Sequence, residues 1–129
     1  TMSFHDKHVC EVLERVGRLQ IDTIICPFEK DISHDHEIVS RIAVSATRRV
    51  KRVLMGQINY YLRNIFTPNY FVDISDTWSD KIKALECFET QWERAGTDWL
   101  EYLDQATRYY GKMCGVERAE GFMTNKFLY

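Results

Sequence analysis

No apolar run in the 129-residue sequence approaches the roughly 20 residues that a membrane-spanning helix needs, and no basic segment near the N-terminus leads into an apolar one. A soluble, cytoplasmic protein is the expectation. There is no C-x-x-C pair among Cys10, Cys26, Cys87 and Cys114, so neither a redox motif nor a zinc ribbon is indicated. In a chain with this much apolar material, the four thiols read as reduced, buried small hydrophobes rather than as a disulfide frame. Charge of one sign is also missing. A formal net charge of -2 gives no overall attraction to nucleic acid or to anionic lipid. The short basic run Arg48, Arg49, Lys51 and Arg52 reads as a solvated helix end rather than a nucleic-acid surface. Internal repeats and low-complexity tracts are absent as well.

What is present is core material: 45% of the residues are hydrophobic and 13% aromatic, enough for one α/β domain or partial domain over residues 1–129. Ser3-Phe4-His5-Asp6 has the form of a capping box, followed by Val9, Val12, Leu13 and Val16 at helical spacing up to Gly17. Isoleucine-rich residues 21–26 predict a buried strand that ends at Pro27. Val39, Ile42, Ala43, Ala46 and Val50 mark the buried stripe of a helix from about His36 to Arg49. Val53 to Met55 predicts a second strand, closed by Gly56. Strand, helix, strand in this order is the signature of a crossover unit in a parallel sheet, so a mostly parallel, partial Rossmann-like sheet with flanking helices is expected. Further on, a strand is expected over Tyr70 to Ile74. A helix with Trp78, Ile82, Leu85 and Trp92 should follow and stop at Gly96. Another helix should run from Thr97 to Gly111, and a last strand from Val116 to Phe122.

The densest chemistry lies in Asp31-Ile32-Ser33-His34-Asp35-His36, two histidines and two aspartates in a turn that opens into the second helix. Ligands of open α/β sheets collect beyond the carboxyl ends of the strands, where a strand-to-helix loop lies by construction. Two readings stand side by side at this level. Asp31 or Asp35 can serve only as a cap in the favourable field of a helix N-terminus, with the histidines solvated. Alternatively, the cluster contributes to a metal site, although a catalytic zinc takes three protein ligands and one water. The other histidine group, His5-Asp6-Lys7-His8, reads as the solvated start of the first helix.

Read with its surroundings, the cluster carries more. Asp22-Thr23-Ile24-Ile25, Asp31-Ile32-Ser33-His34-Asp35-His36-Glu37-Ile38-Val39, Ala46-Thr47-Arg48-Arg49, Phe66-Thr67-Pro68-Asn69-Tyr70-Phe71-Val72-Asp73-Ile74-Ser75, Lys81-Ile82-Lys83-Ala84-Leu85 with Gln91, and then Gly111, Gly115, Ala119-Glu120 and Phe122 occur in that order. Together they resemble the C-terminal half of the LmbE-like, or PIG-L, zinc-dependent de-N-acetylases. The resemblance implies a Rossmann-like fold and hydrolysis of the N-acetyl group of an N-acetylglucosamine-type sugar. It makes His36 the metal ligand and Asp35 its supporting aspartate. The family's first histidine of the motif, an acid or oxyanion stabiliser, falls on Ser33; His34 sits one place along, at a variable position of the motif, and would replace that imidazole only with the loop rearranged. The family's His-Pro-Asp-Asp segment, source of two further ligands and the general base, has no match in this sequence.

The expectation is therefore a hydrolase lineage whose zinc the isolated chain does not hold. The 129 residues would act as the C-terminal portion of a deacetylase, as a half completed by another chain, or as a stand-alone relative retained for binding. The aromatic segment at Tyr60, Tyr61 and Phe66 would form a substrate wall. An unpaired edge in a sheet that starts mid-fold favours a homo-oligomer.

Overall fold

A computed structural model describes residues 3–60 and 66–128. Helices α1 (Asp6–Arg18), α2 (His34–Ser45), α3 (Trp78–Glu86) and α4 (Glu89–Cys114) accompany strands β1 (Thr23–Pro27), β2 (Arg52–Gly56), β3 (Tyr70–Asp73) and β4 (Ala119–Phe127). The strands form one sheet in the order β1-β2-β4-β3. Two compact units are distinguished, one of residues up to Tyr70 together with those from Phe122 onward, the other Phe71–Gly121.

In the first unit β1 and β2 run parallel, from Thr23 opposite Arg52 to Pro27 opposite Gly56. The β-branched run Thr23-Ile24-Ile25 favours extended backbone, and α2 crosses from the first strand to the second as the sequence predicts. The sheet is mixed rather than mostly parallel, because β2 pairs antiparallel with β4 from Arg52 opposite Phe127 to Gly56 opposite Phe122. A bulge beside Val53 and Leu54 interrupts that ladder. The core is built of Val16, Cys26, Phe28, Ala43, Val50, Val53, Met55 and Phe66, with Val12, Ile24, Val44 and Met123 packed on it. Alternation along β1 sends Cys26 inward and leaves Ile25 63% exposed.

Three local expectations are corrected. Ser3 does not cap α1; its hydroxyl lies 2.7 Å from His5 Nε2, and the N-cap residue is His5 without a side-chain cap bond. Along α2 and the turn after it Ile42, Ala43, Ala46 and Val50 are buried as the stripe predicts, but Ile38 is buried in place of the half-buried Val39; the helix itself begins at His34, two residues early. It closes into a 3₁₀ turn, Thr47–Arg49. Of the four free cysteines only Cys26 is buried; Cys10, Cys87 and Cys114 are exposed.

In the second unit the helix break falls at Cys87 and Phe88, and α4 runs through Gly96 to Cys114. Gly96 and Gly111 are sites of close approach rather than stops. A Cβ at Gly96 would lie 2.8 Å from the Trp92 ring, and one at Gly111 would lie 2.6 Å from the Glu117 carbonyl. The stop is Gly115, whose φ of 77° is the left-handed C-terminal turn that glycine takes without strain. Just beyond, the buried Arg118 guanidinium donates to Asp104 Oδ1 at 2.5 Å and to Thr107 Oγ1 at 3.0 Å, with the Trp78 ring face 4.0 Å away. Ion pairing and cation–π contact together satisfy a charge held out of water.

Candidate functional site

Parallel pairing brings the carboxyl ends of β1 and β2 side by side, so the segments leaving them meet. Phe28 N–H donates to the Gly56 carbonyl at 2.9 Å, tying one to the other, and Asp31 N–H then donates to the Phe28 carbonyl at 3.1 Å. This turn buries the Asp31 side chain completely. A carboxylate out of water must be compensated by donors, and three N–H groups converge on it with an imidazole beside them. Ser33 N–H donates to Oδ1 at 2.8 Å, Asn59 Nδ2 donates to Oδ1 at 2.5 Å, and Asn59 N–H reaches Oδ2 at 3.4 Å. The imidazole is that of His36, with Nδ1 3.2 Å from Oδ1. Burial pushes the Asp31 pKa up, but the bonds from Ser33, Asn59 and His36 outweigh it and hold the carboxyl below its ordinary range.

Ser33 is the N-cap residue of α2, in extended conformation, and its side chain makes no cap bond. Its backbone closes the turn on Asp31. His34 and Asp35 lie exposed in the first turn of the helix. Of the sequence-derived candidates, the structure therefore brings His36 into an organised contact, with a carboxylate supplied by Asp31. An imidazole held at Nδ1 by a carboxylate has its ring plane fixed and turns Nε2 away from the contact. The His36 side chain is 32% exposed. Its other neighbour, Asn59, has no motif of its own. The one signal for it is position, three residues past the end of a strand parallel to β1.

The described residues do not fit a zinc centre of the three-ligand kind. Among them no group of three His, Cys, Asp or Glu side chains converges on a common point. The expected aromatic wall also changes. Phe66 is buried in the core with its ring edge on Phe28 at 5.2 Å, while Tyr60 is exposed and Tyr61 lies outside the described residues. In the basic run Arg48, Arg49 and Lys51 are exposed, while Arg52 pairs with Asp22 at 3.0 Å. No helix among the described residues is long and apolar enough to cross a membrane.

Comparison with known proteins gives this geometry a context. No family model matches the chain. A stretch of 65 residues, 48% of this chain, is 45% identical to diacetylchitobiose deacetylase of Thermococcus kodakarensis, 24% of whose length it covers. The solved structure of a conserved protein of Thermus thermophilus matches 98% of this chain with a TM-score of 0.83 and 25% identity. The fold is shared with that protein and with a diacetylchitobiose deacetylase. N,N'-diacetylchitobiose deacetylase of Pyrococcus horikoshii matches over 95% of the chain, with a TM-score of 0.68 and 19% identity. GalB, the 4-carboxy-2-hydroxymuconate hydratase of Pseudomonas putida, matches over 96% with a TM-score of 0.81 and 18% identity. These last two speak for the fold alone, and the second is a hydratase, so the architecture by itself does not select a reaction. The chain spans 62%, 60% and 52% of these three solved chains, and 24% of the curated relative.

Proposed function

We propose that these residues form the C-terminal portion of a zinc-dependent de-N-acetylase acting on N-acetylated amino sugars, and that by themselves they do not hydrolyse such sugars. The observation that carries the reading is His36, held by the buried Asp31 at the carboxyl ends of two parallel strands, in a fold similar to that of a diacetylchitobiose deacetylase. His36 would supply one ligand, and Asp31, rather than Asp35 alone, would fix its ring. The other two ligands and the general base would come from a His-Pro-Asp-Asp strand, which this sequence does not contain. An ion held by such a completed site would lower the pKa of water and polarise the amide carbonyl. Ser33 stands where the family has an imidazole, with the exposed His34 and Asp35 beside it at the helix start. These three are the residues we assign to the reacting side of the site.

A place for the complementing segment is supported by β1. It ends the strand order, and its central Ile25 is exposed on a strand of the parallel type that is ordinarily buried on both faces. The partner there would be a complementary N-terminal half or, failing that, a second copy of the chain.

The test is zinc content and release of acetate from N,N'-diacetylchitobiose, measured on the 129-residue chain and on the same chain fused behind an LmbE-like segment bearing His-Pro-Asp-Asp. Activity is expected only in the fusion and should be lost with zinc in His36→Ala. In the fusion, Ser33→His should raise turnover by about 10²- to 10³-fold, the usual contribution of one oxyanion-stabilising donor. Metal-dependent deacetylation by the chain alone would overturn the reading. Ser33 at the place of an imidazole favours a second reading, a relative that binds sugar without cleaving it. A fusion that binds N-acetylglucosamine and takes up zinc but releases no acetate, even as Ser33→His, would decide for that alternative.

A further inference from the structure

The contact between His36 and Asp31 is one side of a three-residue device, and its third member reaches in from the segment after β2. Asn59 grips both oxygens of the Asp31 carboxylate, with its side-chain amide on Oδ1 at 2.5 Å and its backbone N–H on Oδ2 at 3.4 Å. Its own carbonyl accepts a bond from Gln57 Nε2 at 3.2 Å, which braces the segment. We propose that Asn59 is the positioning residue of this site. It orients Asp31 so that His36 is kept as the Nδ1–H tautomer, leaving an unprotonated Nε2 to accept a proton or a ligand.

The argument is one of donors and acceptors. Nδ1 of His36 lies 3.2 Å from Asp31 Oδ1 and 3.4 Å from Asn59 Nδ2. If Nδ1 carried a lone pair, that pair would face an anionic oxygen, relieved only by a long bond from the amide. If Nδ1 carries the proton, ring and amide can share Oδ1, and the 3.4 Å between Nδ1 and Asn59 Nδ2 is then a contact between two donors rather than the hydrogen bond it would be if Nδ1 were unprotonated. A bond to a carboxylate is about twice as strong as one between neutral groups, so the second arrangement prevails. Oδ1 faces the ring only because the carboxylate plane is set from the far side. Ser33 N–H binds Oδ1 alone and leaves that plane free to turn, whereas Asn59 holds both oxygens.

The inference rests on the reading of His36 as the residue that faces a ligand, but its test does not require catalysis. Long-range ¹H–¹⁵N spectra of the ¹⁵N-histidine-labelled chain report the tautomer of each imidazole. The wild type should show His36 as Nδ1–H, and Asn59→Ala should lose that form in favour of Nε2–H or a mixture while His5 and His8 keep their signals. A wild-type His36 in the Nε2–H form, or an Asn59→Ala chain with an unchanged Nδ1–H signal, would overturn the proposal. Should Asn59→Ala fail to fold, the wild-type spectrum still decides the tautomer. Asn59→Ser, which keeps the backbone donor but shortens the side chain, then decides the role of the amide. An inactive fusion whose His36 remains an Asn59-dependent Nδ1–H would end the deacetylase reading and leave this inference standing.

Discussion

At the scale of single residues, enclosure separates the reactive groups from the inert ones. Cys26 is 6% exposed in the core, and burial pushes its thiol up. Cys10, Cys87 and Cys114 are exposed. Because the thiolate is the nucleophile, brief alkylation of the native chain at neutral pH should label those three and spare Cys26, which reacts only in denaturant. Peptide mass mapping checks it, and native labelling of Cys26 would mean that the first unit opens readily. The same contrast holds in the cluster, where Asp31 is enclosed and committed to its donors while His34 and Asp35 meet solvent.

Among the elements, α4 and its exit depend on two glycines for different reasons. A side chain at Gly115 would be forced into φ of 77°, costing about 1 kcal/mol, so Gly115→Ala should lower the stability of the second unit modestly. At Gly111 a Cβ would meet backbone at 2.6 Å, which no side-chain rotation relieves. Gly111→Ala should therefore cost more, about 1–3 kcal/mol by overpacking, and denaturant unfolding of the two variants should rank them in that order.

The same helix presents Asp104 to Arg118. The bond from Arg118 holds the Asp104 carboxyl below its ordinary 3.8, with Arg108 assisting and slight burial opposing. A carboxyl whose folded pKa is the lower one stabilises the fold above its unfolded pKa, and that contribution disappears as the pH falls through the folded value. Melting temperature should thus drop on acidification below about pH 4. In Asp104→Asn it should be lower at neutral pH and should fall less in acid. Parallel melting curves for the two proteins would sink the assignment.

At the scale of the whole molecule, the open edge is the feature to test. β1 terminates the sheet with Ile25 63% exposed, and such an edge is a template for another strand. We expect the chain on its own to self-associate in a concentration-dependent way, and Ile25→Lys to return it to the monomer, as judged by light scattering after gel filtration. A wild-type monomer at all concentrations would remove the homo-oligomer from the proposed partners and leave the complementing half as the occupant of that edge.

The sequence by itself determined the crossover of β1, α2 and β2. That signal is local: a β-branched run, a helical stripe and a second apolar run, each readable within a dozen residues. It also placed the His34 and His36 cluster at a strand's carboxyl end, because a loop between strand and helix has nowhere else to be. The family resemblance was legible in the same way, as an ordered set of short segments. Only the tertiary structure decided that β4, the last strand of the chain, enters antiparallel beside β2, since strand pairing over such a separation leaves no mark in either strand. Helix continuity through Gly96 was likewise hidden, because a glycine reads as a stop in sequence, whereas here its missing Cβ gives room to the Trp92 ring. The partners of His36 depended on tertiary structure as well. Asp31 lies five residues away across a turn, and Asn59 reaches the cluster from the end of another strand, brought there by the parallel register of Pro27 with Gly56.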